Sequence, residues 1–219
     1  MKTNIISFCL LLISLGSGLA QNNFYNFTIT AGMSPKQTPI QSGLIVDREE
    51  PLNEFIFNLA EIQKSYIFGI RKNIRFTTPF FGTIGLEYNK HQENYSLEYR
   101  YKERELGAKT TLSTSSHRLT LPVGVGVKFG GLDFTSGLHL QYDIKSTMQE
   151  DNPSGVEITK AKMQFGWYAG AGYSFDRTSI GIQYQSSLSR YGSNLVHNQQ
   201  SMELPSLPGN LKFTIGYSF

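Results

Sequence analysis

Leu211-Lys-Phe-Thr-Ile-Gly-Tyr-Ser-Phe219 closes the chain as a strict alternation, with apolar Leu211, Phe213, Ile215, Tyr217 and Phe219 separated by Lys212, Thr214, Gly216 and Ser218. Successive side chains of an extended segment point to opposite faces, so this is a strand with one apolar and one wet face. The same period of two recurs over residues 25–33, 65–72, 80–88, 119–129, 132–144, 163–175 and 179–184. With the terminal segment, that makes eight strands.

The links between these strands alternate in length: long after the first, third, fifth and seventh, short after the second, fourth and sixth. This asymmetry predicts an all-β fold, an eight-stranded antiparallel up-and-down transmembrane β-barrel with short periplasmic turns and long external loops. An even strand count leaves both termini in the periplasm.

The start of the chain agrees. Residues 1–20 carry Lys2, an apolar run over 5–15, and Gly18 and Ala20 around Leu19, the pattern of a secretory signal peptide cut after Ala20. The run is shorter than the roughly 20 residues a membrane-spanning helix needs. Residues 21–219 are then a single barrel domain. The one cysteine, Cys9, lies inside the signal, so the mature chain has neither a disulfide nor a thiolate metal site. Removing Lys2 leaves 19 basic against 17 acidic residues, which gives no electrostatic basis for binding nucleic acid. The slightly negative mean hydropathy would argue against a helical membrane protein. It is compatible with a barrel, in which only alternate residues meet lipid.

Glycines at 130 and 131 fit a two-residue hairpin turn, because each tolerates positive φ. That turn sets Phe129 opposite Leu132, Lys128 opposite Asp133, Val123 opposite Leu138, Leu121 opposite Leu140 and Leu119 opposite Tyr142. A shift by one residue would send every apolar side chain to the wrong face. A turn over residues 175–178 likewise sets Tyr173 opposite Ile180 and Ala171 opposite Ile182. With these directions, outward aromatics sort by depth. Tyr66, Tyr88, Tyr142, Trp167 and Tyr184 lie near the external ends, and Phe27, Phe80, Phe129, Phe134, Tyr173, Tyr217 and Phe219 near the periplasmic ends. Aliphatic Ile29, Ile70, Ile84, Leu86, Val125, Leu138, Ile182 and Ile215 fall between them. Such sorting is what a bilayer selects and a soluble barrel does not need.

Phe27-Thr-Ile-Thr-Ala-Gly-Met33, Leu119-Thr-Leu-Pro-Val123, Gly166-Trp-Tyr-Ala-Gly-Ala-Gly-Tyr173, Ile180-Gly-Ile-Gln-Tyr184 and Ile215-Gly-Tyr-Ser-Phe219 follow one another in the order seen in PorT-like proteins. The chain resembles that family of small outer-membrane β-barrels over most of its mature length. The resemblance implies residence in the bacterial outer membrane, a link to a dedicated protein-secretion system, and recognition of the last strand by the barrel-assembly machinery through Phe213, Ile215, Tyr217 and Phe219.

Eight strands enclose a lumen that side chains just fill. Alternation assigns Arg71, Glu87, Lys128, Asp133, His139, Asp143 and Lys212 to it. Buried charges need partners. The expected pairs are Lys128 with Asp133, Arg71 nearby, and Glu87, Asp143 and Lys212 together near the external end. His139 and Asp143 share the lumenal face but stand roughly 13 Å apart along one strand, too far for a catalytic dyad. His117 follows Ser113, Ser115 and Ser116 in the second long loop, but serine-rich loop tips are common. No cofactor or metal is expected, since the four histidines have no ligand spacing.

In the second long loop, Tyr95, Leu97, Tyr99 and Tyr101 share one face of a strand whose parity is flipped relative to Tyr88, and a bulge or break is expected over residues 89–93. This ladder is a candidate surface for a protein partner that adds a strand; the alternative is a hairpin whose tyrosines pack on the returning arm, 110–116. In the first long loop, Phe55, Phe57, Leu59 and Ile62 suggest a short amphipathic helix or lid. The sequence thus favours a non-enzymatic barrel with a filled lumen. It would sit among outer-membrane lipids and act through its external loops on an envelope or secretion protein. A lipid-modifying enzyme is the alternative and a small-solute channel a third.

Overall fold

A computed structural model describes residues 26–38, 41–46, 53–101, 104–148, 157–160, 162–189, 191–197, 200–205 and 209–219. The proposed signal peptide lies outside the described residues. Eight strands form a closed ring: β1 (Asn26–Ser34), β4 (Ser65–Thr77), β5 (Phe80–Tyr101), β6 (Arg104–Phe129), β7 (Leu132–Met148), β9 (Met163–Phe175), β10 (Thr178–Ser187) and β13 (Asn210–Ser218). Each pairs antiparallel with the next in sequence, and β13 returns to β1 through Ile29 opposite Tyr217 and Thr30 opposite Gly216. The fold is the predicted up-and-down barrel, and closure leaves the ring without a free edge.

The register follows from the turns. Gly130 has φ of 60° in the hairpin between β6 and β7, and all the pairs expected there, from Phe129 opposite Leu132 to Leu119 opposite Tyr142, are present. The turn between β9 and β10 holds Asp176 at φ of 51° and sets Tyr173 opposite Ile180. Lumenal glycines admit neighbouring backbone: a Cβ on Gly137 would collide with the Val123 carbonyl oxygen.

The outer face is apolar for a defined height and then stops. On β5, outward Phe80, Ile84, Leu86 and Tyr88 give way to Lys90 and Gln92; on β6, outward Val125, Val123 and Leu119 give way to His117 and Ser115. Ile29, Val125, Leu138, Ile182 and Ile215 are exposed on this band, with Phe80, Phe129, Tyr173 and Tyr217 exposed at the turn end and Tyr66, Tyr88, Trp167 and Tyr184 at the loop end. Lys72, outward near the turn end, lays its ammonium 5.1 Å from the centre of the Phe27 ring.

Beyond the band the described parts of the long connections are largely strand. β5 and β6 run on together to Tyr101 and Arg104. The first long connection contributes β2 (Gln41–Val46) and β3 (Asn53–Ile62), and β3 pairs with the upper half of β5. The other connections supply β8 (Glu157–Lys160), β11 (Tyr191–His197) and β12 (Gln200–Pro205), a three-stranded sheet. β12 lies next to β2, and β8 next to β7, so the barrel wall continues above the ring. The expected helix or lid over 54–62 is therefore a strand. Its apolar spacing changes from two to three between Leu59 and Ile62 because the pairing with β5 shifts between Leu59 and Glu61.

Candidate functional site

β5 carries the axis of the lumen. Its register against β6 is unbroken from Glu87 to Glu98, so Glu87, Asn89, His91, Glu93 and Tyr95 all point inward and all are buried. The expected bulge over 89–93 is absent from this pairing. Tyr95 does lie on the face opposite to Tyr88, but that face is the barrel interior.

Two charged layers cross the interior. In the lower layer, Lys212 on β13 donates from Nζ to Glu87 Oε2 at 2.9 Å, and Arg71 on β4 reaches Glu87 Oε1 at 3.4 Å and Gln183 Oε1 at 3.2 Å. Lys212 is 1% and Glu87 4% exposed, so a carboxylate with two cations stands where an open pore would need water. In the upper layer, Arg118 on β6 donates from Nε to Asp143 Oδ1 at 2.7 Å and from Nη2 to Glu93 Oε1 at 3.3 Å. His91 Nε2 is 3.0 Å from the same Glu93 oxygen, and the Tyr95 hydroxyl donates to Glu93 Oε2 at 2.5 Å. Burial first, and the Glu93 carboxylate second, hold the Tyr95 hydroxyl well above the usual tyrosine range.

The charges expected in the lumen are all on strands facing it, but the pairing differs in detail. Asp143 belongs with Arg118 and not with Glu87 and Lys212, because it sits one layer higher. Arg71 pairs with Glu87 and, as expected, also stands near Lys128 and Asp133, with which it lines one cavity. Lys128 is opposite Asp133 as expected, but its side chain is exposed, while Asp133 accepts from the Ser174 hydroxyl at 3.5 Å. His139 is buried in the wall against Gly166, where a Cβ in place of the glycine hydrogen would run into the imidazole. Arg118, which organises the upper layer, escapes the reading of the sequence. Its signal is parity alone: inward positions run Thr120, Arg118, Ser116, whereas the apolar alternation begins only at Leu119.

Tyr95 faces Leu112 across β5 and β6 and Leu59 across β3 and β5, with 2% exposure. The edge of β5 expected to receive a partner strand is taken by β3. The side chains of Leu97, Tyr99 and Tyr101 lie outside the described residues. On the closing strand, Phe213, Ile215, Tyr217 and Phe219 are all exposed on the outer face.

Spaces remain inside among the described residues. A cavity of about 120 Å³, lined by Thr28, Thr30, Arg71, Asp133 and Thr214, lies below the Glu87 layer. A vestibule of about 440 Å³ with Arg75, Lys128 and Asp133 in its wall lies at the turn end. A pocket of about 40 Å³ by His91, Arg118 and His139 lies between the charged layers. Among the described residues no group of three or more His, Cys, Asp and Glu side chains could hold a metal ion.

Ring, outward apolar band and polar filled interior define the class: an eight-stranded up-and-down barrel of the outer-membrane type. Among solved structures the chain is similar to the outer membrane protein OprG from Pseudomonas aeruginosa, at 10% identity and a TM-score of 0.52 over 89% of this chain and 95% of that one. It is also matched to the translocator domain of the autotransporter NalP from Neisseria meningitidis, at 11% identity and a TM-score of 0.36 over 100% of this chain and 96% of that one. No family model matches the sequence, and no curated protein sequence matches it. At such identities the likeness to OprG concerns the fold.

Proposed function

We propose that this chain is a bacterial outer-membrane protein that neither conducts nor catalyses through its lumen, and that binds an envelope protein with the tier formed by β2, β3, β5 and β6. The observation that carries this is the Lys212–Glu87–Arg71 layer, an ion-pair network that crosses the lumen with Lys212 and Glu87 buried. The titratable groups that acyl transfer would require support the non-enzymatic side: His91, Glu93 and Arg118 are 3%, 1% and 5% exposed and already engaged with one another. His117, the outward histidine on β6, is bonded to the Tyr88 hydroxyl rather than to an acid.

The likeness to PorT-like barrels supports a partner belonging to protein secretion. The tier is the part of the protein that such a partner would meet. Its outward positions alternate with Tyr95, which places Glu98 on the partner side of β5. A photocrosslinker at Glu98, irradiated in intact cells and followed by mass spectrometry, is expected to capture one envelope protein. Purified barrel in planar bilayers is expected to show no steady conductance and to release no acyl chain from lipid. A stable single-channel current would replace this function with the channel alternative.

A further inference from the structure

Where the apolar band ends at the loop end of β5, β6 and β7, it ends on bases. Lys90 stands opposite His117, and His117 opposite Lys145, so the three form one outward row across neighbouring strands. One step nearer the turns, the corresponding row is Phe68, Tyr88, Leu119 and Tyr142. Directly paired residues share a face, and adjacent strands are about 4.8 Å apart, so the two lysines stem from points about 10 Å apart with the imidazole between them. Lys90 and Lys145 are exposed, and neither has an ion-pair partner among the described residues. His117 is oriented by the Tyr88 hydroxyl, 2.5 Å from its Nδ1, which leaves Nε2 as the remaining ring nitrogen.

No acidic residue occupies an outward position on β5 from Phe80 to Ser96 or on the facing stretches of β6 and β7 up to this row; the acids there, Glu87, Glu93, Asp133 and Asp143, point inward, and Glu87, Glu93 and Asp143 are paired with Lys212 and Arg118. The row continues onto β4, β1 and β13 as Tyr66, Met33 and Phe213, so the charge is confined to one side of the barrel.

We propose that Lys90, His117 and Lys145 bind the phosphate of a lipid headgroup in the leaflet at the loop end, with Tyr88, Leu119 and Tyr142 against its acyl chains. The occupant follows from position and charge complementarity: the row stands at the level where headgroup phosphates lie, directly over a surface that only acyl chains would cover. This inference rests on the membrane location proposed above.

The test uses the full mature chain inserted in phosphatidylcholine vesicles with or without lipid A carrying its two phosphates, then extracted mildly and weighed by native mass spectrometry. Retention of the phosphorylated lipid, but not of its enzymatically dephosphorylated form, is expected. Lys90→Gln with Lys145→Gln should weaken retention about 30-fold, the worth of two interfacial lysines, while Lys128→Gln at the opposite end leaves it unchanged. Equal retention of both lipid forms, an unaffected double variant, or displacement by soluble pyrophosphate at matching concentration would each overturn the proposal. Failure of the wild type to insert into any vesicle would instead overturn the membrane location itself, so the two are told apart before lipid is weighed.

Discussion

Lys212 Nζ lies 2.9 Å from Glu87 Oε2, joining the closing strand to β5 through the middle of the ring although β1 and β4 separate the two strands in the wall. The same carboxylate receives Arg71, so both cations share one partner, and of the three groups Lys212 and Glu87 are buried. Removing one member of such a pair leaves a buried charge without its partner. Lys212→Met and Glu87→Leu should each destabilise the inserted barrel by about 3 to 5 kcal/mol, and the double variant should cost less than their sum. Urea unfolding in lipid vesicles measures all four proteins. Additive effects would mean that the two side chains do not interact.

Facing can be tested by a neighbouring pair on β10. Ile182 is 42% exposed on the apolar band and Gln183 5% exposed in the lumen. Ile182→Arg puts a guanidinium into hydrocarbon and should cost about 2 to 4 kcal/mol. Gln183→Arg brings a second guanidinium beside Arg71, so its penalty should be relieved when Arg71→Gln is added, whereas that of Ile182→Arg should not. Indifference of the barrel to Ile182→Arg is the result that would reverse the assignment.

The hairpin between β6 and β7 offers a backbone test. Gly130 sits at φ of 60° with open space around the position a Cβ would take, so strain and not collision decides what it tolerates. Gly130→Asn should be nearly neutral, while Gly130→Val should cost about 1 to 2 kcal/mol through the left-handed backbone alone. Gly137→Ala drives its methyl into the Val123 carbonyl and should be the more damaging change although it adds a single carbon. Equilibrium unfolding midpoints rank the three, and a harmless Gly137→Ala would contradict the packing of β6 on β7.

Alternation makes the ring legible because a period of two is the geometry of the strand itself, and hairpins such as Gly130-Gly131 leave no freedom in register. What escapes is every feature in which alternation is interrupted or the band ends. β3 reads as helical because the shift between Leu59 and Glu61 moves Ile62 out of phase. Arg118 lies one residue outside the apolar alternation, though the hydrogen-bonded strand runs back to Arg104. The ladder of Tyr95 reads as a candidate docking surface because apolar residues of the lower strands point to lipid. Above the band that relation inverts, and the apolar side chain turns inward against Leu112. The layer to which each charge belongs depends on the stagger between strands that are far apart in sequence, which no local pattern carries.

Topology gives the last prediction. The three tight turns, among them the one carrying exposed Arg177, lie at one end of the ring, and the tip between β5 and β6 lies at the other. If the turn end faces the periplasm, trypsin added to sealed cells should cut at the tip that carries Lys102 and leave Arg177 intact until the membrane is opened. Arg177→Gln should then abolish the late fragment without changing the early one. Tyr95→Phe, made in the same cells, should preserve insertion, because Tyr95 lies above the apolar band. It should nevertheless loosen the tier by about 1 to 3 kcal/mol by taking a hydrogen bond from buried Glu93. That loosening should appear as faster cleavage at the tip with no new cut at Arg177. Cleavage at Arg177 in sealed cells would place the turns outside and invert the barrel.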